Sequence, residues 1–197
     1  MTISVDSPYF EQAFTQAHTA HRFADQPIPD DTLRALYDVA RLGPTSMNCQ
    51  PMRLVFVRSE AAKAQLREAL APGNVDKTMN APVTVIVAQD RQFHEQLPSQ
   101  FPFVPNAADM YRNNPQLAQT TALRNASLQG AYLMIAARLA GLAVGPMSGF
   151  DHAKVDAAFF PDGRWASNFL FNLGLPDTDG HRPRGARLSF EDVAVIR

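Results

Sequence analysis

The chain has 197 residues, 46% of them hydrophobic and 19% charged, which is enough apolar surface for one packed domain and too much for a disordered segment. A formal net charge of −1 and a pI near 6.5 argue against a nucleic-acid or anionic-membrane partner. Cys49 is the one cysteine, which excludes an internal disulfide and suits a reducing cytoplasm.

Taken along the chain, the opening MTISVDSPYFEQ lacks the basic and apolar regions of a signal peptide. No run approaches the roughly 18 apolar residues of a membrane span. Residues 8–20 read as a first helix and Pro27–Asp31 as a turn, with Asp30 or Asp31 capping the helix that follows. In that helix Leu33, Leu36, Tyr37 and Ala40 recur at i, i+3, i+4, i+7 and predict one buried face. Gly43-Pro44 stops it. The stretch GPTSMNCQP (43–51) reads as a rigid polar loop, fenced by glycine and proline, before a short strand over Leu54–Val57.

Residues 60–70 predict a solvent-facing helix, and Asn74–Asn80 a short polar helix or loop. The β-branched run PVTVIVA (82–88) predicts a strand buried on both faces. Residues 91–115 hold four prolines among Phe93, Phe101, Phe103 and Tyr111. So long an irregular excursion reads as a lid, with Phe101, Phe103 and Tyr111 as apolar pocket contacts. Residues 116–140 predict a helix spanning about 37 Å. Its half from Leu128 to Ala140 is apolar almost all round and needs cover of the kind a second subunit supplies. A loop Gly145–Gly149, a short helix from Asp151, a strand Asn168–Leu173 and a basic arm with Arg182, Arg184 and Arg187 follow. This order of elements is α+β or α/β, one domain over 1–197 with a small central sheet.

The sequence has no G-x-G-x-x-G after a strand, no Walker loop, no H-E-x-x-H, no G-x-S-x-G and no paired cysteines. His18 and His21 share i, i+3 spacing, but no nearby carboxylate completes a metal set. Nothing activates Cys49, which reads as a packed loop thiol. What remains is a dispersed set of polar, anion-friendly groups around 18–22, 43–51, Asn74 with Lys77, 145–149 and the arginines 184 and 187. A ligand with one phosphate and one flat heterocycle would use such parts: arginines for the phosphate, a lysine where negative charge develops on the ring.

These segments carry a resemblance. GPTSMNCQP is similar to the Pro-Ser-x-x-Asn-x-Gln-Pro loop of the flavin-dependent nitroreductase family. NVDKTMNAPVTVIVA is similar to its Asn-x-x-Lys segment leading into a strand. GPMSGFD resembles its loop beside the reactive edge of the ring, and RGARLSFEDV its C-terminal Arg-Leu-Pro element. Four motifs in order over nearly the whole chain make the likeness specific. It implies an α+β nitroreductase fold, a small sheet flanked by helices in an intertwined homodimer, with FMN as cofactor and NADH or NADPH as donor.

The same resemblance implies the roles of residues. Pro44 and Thr45 would shape the backbone against FMN, with Ser46 and Asn48 hydrogen-bonding it. Asn74 would face the pyrimidine edge and Lys77 would lie near N1 and the C2 oxygen. Pro146, Met147, Ser148 and Gly149 would border N5. Arg184 and Arg187 would bind the phosphate, with His18, Thr19 and His21 beside it. No side chain need be catalytic, since the cofactor carries the chemistry.

Two departures stand out. His18-Thr19-Ala20-His21 occupies the place of the family's Arg-Ser-x-Arg, and Ser148 stands where many relatives carry Glu. Within the family the motifs PQLA, GPMSGFD and PRGARLSFED most resemble the malonic semialdehyde reductases of pyrimidine degradation. That implies reduction of 3-oxopropanoate to 3-hydroxypropanoate. A broad nitro or quinone reductase, and a non-catalytic flavin-binding protein, are the alternatives.

Overall fold

Strand β2 (Val83–Asp90) is buried along its whole length, and the rest of the chain is arranged to cover it. The computed structural model describes residues 6–177 and 183–197. The sheet runs β1 (Met52–Val57), β2, β4 (Trp165–Gly174), β3 (Ala143–Met147) in space, and every neighbouring pair is antiparallel. A continuous apolar run is the mark of a strand covered on both faces. Val83, Val85 and Val87 pack against α2 (Asp30–Ala40) and α7 (Pro115–Leu139), while Ile86 and Ala88 pack against α3 (Glu60–Arg67), α4 (Pro72–Met79) and α8 (His152–Phe159).

Several sequence expectations change in detail. The first helix is one turn, α1 (Pro8–Phe10), that passes into a π turn over Glu11–Thr15 and stops. Residues 18–20 instead run beside β3, where Thr19 bridges Val144 and the Ala20 N–H donates to the Val144 carbonyl at 3.0 Å. Pro29, not Asp30 or Asp31, is the N-cap of α2. The two aspartates occupy its first turn, where the helix dipole favours them. Tyr37 is exposed rather than part of the buried face, its ring 6.0 Å from the Arg41 guanidinium carbon.

The stretch expected as a loop from Gly145 begins inside β3. An edge strand can carry Pro146, which has no N–H to donate. The excursion 91–115 is not irregular: it holds a 3-10 turn (Phe93–Gln96), α5 (Leu97–Gln100) and α6 (Ala107–Arg112). Phe93, Leu97, Ala107, Ala108 and Tyr111 form an apolar cluster with Cys49 and with Ala118 and Ala122 of α7. A four-residue helix α9 (Phe190–Val193) lies in the C-terminal arm, opened by a Ser189–Asp192 capping box. Arg182 lies outside the described residues.

Candidate functional site

The loop after α2 is held in a conformation that few side chains adopt. Met47, Asn48 and Gln50 all have positive φ, at 52°, 50° and 39°. Left-handed backbone at non-glycine residues costs on the order of 1 kcal/mol or more each, so the surroundings must impose it. A stripe of buried amides on α7 does so. Asn125 Oδ1 accepts from the Ser46 N–H at 2.8 Å, and Gln129 Oε1 accepts from the Met52 N–H at 3.0 Å. Thr45 Oγ1 takes the Gln50 N–H at 3.2 Å. Asn48 Nδ2 donates to the Gln100 carbonyl at 3.0 Å, and Gln50 Nε2 joins Asn48 Oδ1 to Gln100 Oε1 at 3.0 and 2.9 Å. Gly43 is required here, since a Cβ would come 2.7 Å from the Tyr132 ring. Pro44 and Ser46 remain exposed on the outer face. Cys49 is 2% exposed, and burial pushes its thiol up to about 11 against the opposing Thr45 hydrogen bond.

A second group forms where β3 leaves the sheet. Asn74 and Lys77 sit one turn apart on α4 and so share a face. Asn74 Nδ2 donates to the Gly149 carbonyl at 2.8 Å, and the Ala71 N–H donates to the same oxygen at 3.0 Å. A Cβ on Gly149 would lie 2.7 Å from that Asn74 nitrogen. The Lys77 carbonyl accepts from Asn172 Nδ2 at 3.1 Å, which fixes α4 to the sheet. Lys63 Nζ donates to the carbonyls of Met79 (3.0 Å), Thr78 (3.3 Å) and Ala81 and so satisfies the C-terminal end of α4. Pro146, Met147 and Ser148 line an open groove of about 390 Å³ whose far wall is Ser127 and Met134 of α7 with Phe169.

The third group is a cavity of about 460 Å³ lined by His18, Thr19, His21, Arg138, Arg184 and Arg187. Arg184 Nη2 is anchored to the carbonyls of Phe14, Thr15 and Ala17 at 3.0, 2.9 and 2.7 Å. Arg138 Nη1 donates to the Ala13 carbonyl at 3.2 Å, while its Nε is buried with no partner. Burial, then the nearby Arg184 guanidinium, lower the Arg138 pKa from its ordinary value. Among the described residues no carboxylate lines the cavity. Cations held together without an acid are arranged for an anion.

Residues 15–174 match the sequence profile of the family described as Nitroreductase family. A Rhodopseudomonas palustris protein, provisionally named an NADH dehydrogenase/NAD(P)H nitroreductase, is 51% identical over 199 residues, which cover 100% of both chains.

The chain belongs to the nitroreductase family.

Its fold agrees with solved structures of the family. The provisionally named nitroreductase ydfN of Bacillus subtilis superposes with a TM-score of 0.87 over 95% of this chain and 98% of that one, at 23% identity. A provisionally named nitroreductase of Exiguobacterium sibiricum, solved in complex with FMN, gives 0.83 over 100% of both chains at 20% identity.

Within this family member, His18, Thr19, His21, Arg184 and Arg187 meet in one cavity, and Asn74 meets Gly149. Asn48 turns its amide into the loop and toward Gln100. Phe101 and Phe103 pack edge to face at 5.8 Å, with Phe103 84% exposed. Tyr111 is buried in the cluster that Phe101 packs against, its ring 4.9 Å from Phe93 and its hydroxyl 3.7 Å from Met47 Sδ. Sequence reasoning missed Arg138, Asn125 and Gln129. A cation and two amides inside a long, largely apolar helix were the available signal, since polar groups there need buried partners.

Proposed function

We propose that the chain is an FMN-dependent NAD(P)H oxidoreductase acting as a cytoplasmic homodimer on a small electrophile. The observation that carries the reading is the cavity of Arg138, Arg184, Arg187, His18 and His21, with no carboxylate in its lining and no partner for Arg138 Nε among the described residues. This donor set fits a phosphate monoester. FMN bound there would supply two-electron transfer between NAD(P)H and an acceptor.

The chain's own residues then have defined tasks. Arg138, Arg184 and Arg187 hold the phosphate, and Thr19 adds a hydroxyl donor. Lys77 would supply positive charge that favours negative charge developing on a bound flavin. Asn74 orients the Gly149 turn next to it. Pro146, Met147 and Ser148 form the floor on which an acceptor lies. The loop 43–51 shapes the remaining wall.

Two observations support a homodimer. Leu117, Leu123, Leu128, Tyr132 and Leu139 of α7 are exposed, as are Leu188, Phe190, Val193, Val195 and Ile196 of the arm. Asn125, which holds the loop, and Arg138, in the cavity, are separated by about 20 Å of helix. A loop lent by a second copy would bring both sets to one ligand.

For the acceptor we propose 3-oxopropanoate, reduced to 3-hydroxypropanoate. Ser148 in place of a carboxylate suits an anionic substrate, and the motif likeness points the same way. The names of the relatives support the second reading, a broad nitro or quinone reductase.

The test is an absorbance spectrum of the purified protein after incubation with FMN, then anaerobic addition of NADPH and NADH. A bound flavin whose visible band bleaches is expected. A protein that takes up no FMN overturns the reading, and bound FMN that neither donor reduces leaves a flavin-binding protein without catalysis. Side-by-side kcat/KM values then decide the acceptor. Nitroarenes turned over far faster than 3-oxopropanoate would remove the aldehyde assignment.

A further inference from the structure

Three buried polar side-chain atoms lack a partner among the described residues: Arg138 Nε, Gln89 Oε1 and His94 Nδ1. The first belongs to the cation cavity. The other two belong to residues that line a separate cavity of about 430 Å³, closed by the end of β2, by α6 and by the first turns of α7. None of its lining residues is shared with the cation cavity or with the β3 groove.

The chemistry of this cavity is specific. Gln89 is 8% exposed on β2, opposite Met52 on one side and Ala166 on the other. A buried acceptor left unsatisfied carries its desolvation cost uncompensated, and a guest with a hydrogen-bond donor can recover it. His94 offers a neutral imidazole, its pKa lowered first by burial and then by Arg112, against opposing pulls from Glu95 and Asp90. A neutral ring presents one donor and one acceptor.

Two arginines, Arg91 and Arg112, also line the cavity, and among the described residues no carboxylate does. Arg91 donates Nη1 to the Gly163 carbonyl at 3.2 Å and lies 3.8 Å from Asp156 through Nη2, and Arg112 pairs with Asp109 one turn back on its own helix. The nearby acids are occupied elsewhere: Asp90 takes Arg53 at 2.7 Å and Arg164 at 3.2 Å, and Glu95 takes Arg164 at 3.1 Å. The remaining lining is Tyr111 of α6, Pro115, Ala118, Gln119 and Ala122 of α7, and Ala166 of β4.

We propose that this cavity is a second small-molecule site, which takes a short organic carboxylate that also carries an O–H or N–H donor. The carboxylate faces Arg91 and Arg112, and the donor reaches Gln89 and His94. The assignment does not depend on the flavin reading, because it uses none of the residues placed around FMN.

The probes are glycerate, propanoate, which lacks the donor, and glycerol, which lacks the charge. Each is titrated calorimetrically into the full chain. Glycerate is expected to bind at least about tenfold more tightly than either. Gln89→Met and His94→Phe are each expected to weaken glycerate by about tenfold or more, with FMN uptake unchanged. Should either buried variant fail to fold, the surface change Arg112→Gln carries the test and is expected to remove the preference for glycerate over glycerol. Equal binding of glycerate and glycerol overturns the proposal. So does undiminished glycerate binding in the folded variants. No binding of glycerate to the parent chain, with Gln89→Met simply raising Tm, would show a cavity that holds only water. Unchanged FMN uptake keeps each of these results separate from the fate of the flavin reading.

Discussion

Arg138 tests the cation cavity one residue at a time. Its guanidinium is half-buried at the end of α7, with one nitrogen on the Ala13 carbonyl and Nε unpartnered. Charge-assisted hydrogen bonds contribute about 1.5–3 kcal/mol, so Arg138→Met should weaken FMN by about tenfold to a hundredfold. Riboflavin, which has no phosphate, should lose far less, and fluorescence titration of both ligands reads the difference. At His94 the prediction concerns pH. Its folded pKa lies below the ordinary 6.5, so the unfolded chain takes up the proton first as pH falls. Stability is therefore lost on acidification through about 6.5, and the loss levels off below the folded pKa. Urea midpoints between about pH 7.5 and 5.5 should fall less in His94→Phe than in the parent. Neither residue was legible beforehand. Both are half-buried by parts of the chain that periodicity does not bring together, as the Arg138 contact with Ala13, 125 residues away, shows.

At the scale of elements, α7 shows both what pattern reveals and what it hides. Expected over 116–140, the helix runs Pro115–Leu139, because proline suits its first turn and Gly141 with φ of 83° ends it. The partners of its buried Asn125 and Gln129 lie 79 and 77 residues away, a distance at which periodicity says nothing. Asn125→Ala would leave the Ser46 N–H unpaired, and Gln129→Ala the Met52 N–H. Each should lower stability by about 1–3 kcal/mol, seen as a lower urea midpoint at unchanged slope. The GPTSMNCQP loop was legible as rigid and polar. Its three left-handed residues were not, since none of Met47, Asn48 and Gln50 is a glycine. The β3 strand was read as a loop from Gly145 for a related reason: Gly-Pro signals a turn, yet at a sheet edge both residues are tolerated. Gly145 is in fact needed there, because a Cβ would sit 2.4 Å from the Ala20 carbonyl oxygen.

For the whole molecule, the α+β class was legible because PVTVIVA announced a fully covered strand and the amphipathic segments around it supplied the cover. The exposed leucines of α7 and of the arm belong to the same scale. If a second copy covers them, the protein sediments as a dimer, and Leu128→Asp should shift it toward monomer while weakening FMN by about tenfold or more. A parent chain that sediments as a monomer at micromolar concentration would remove the dimer from the reading.

The single helix that carries both Gln129 and Arg138 also acts as a ruler with a phase. Each residue added between them would advance the far end by about 1.5 Å and turn it by about 100°. One inserted alanine should therefore swing Arg138 out of its cavity while the loop at Asn125 stays seated. Four inserted alanines should return the guanidinium to nearly its original bearing, about 6 Å farther along. Insertion length, more than the chemistry of any one side chain in that stretch, should then govern whether Arg138 still reaches the phosphate, with FMN retention recovering partly at four residues and failing at one to three.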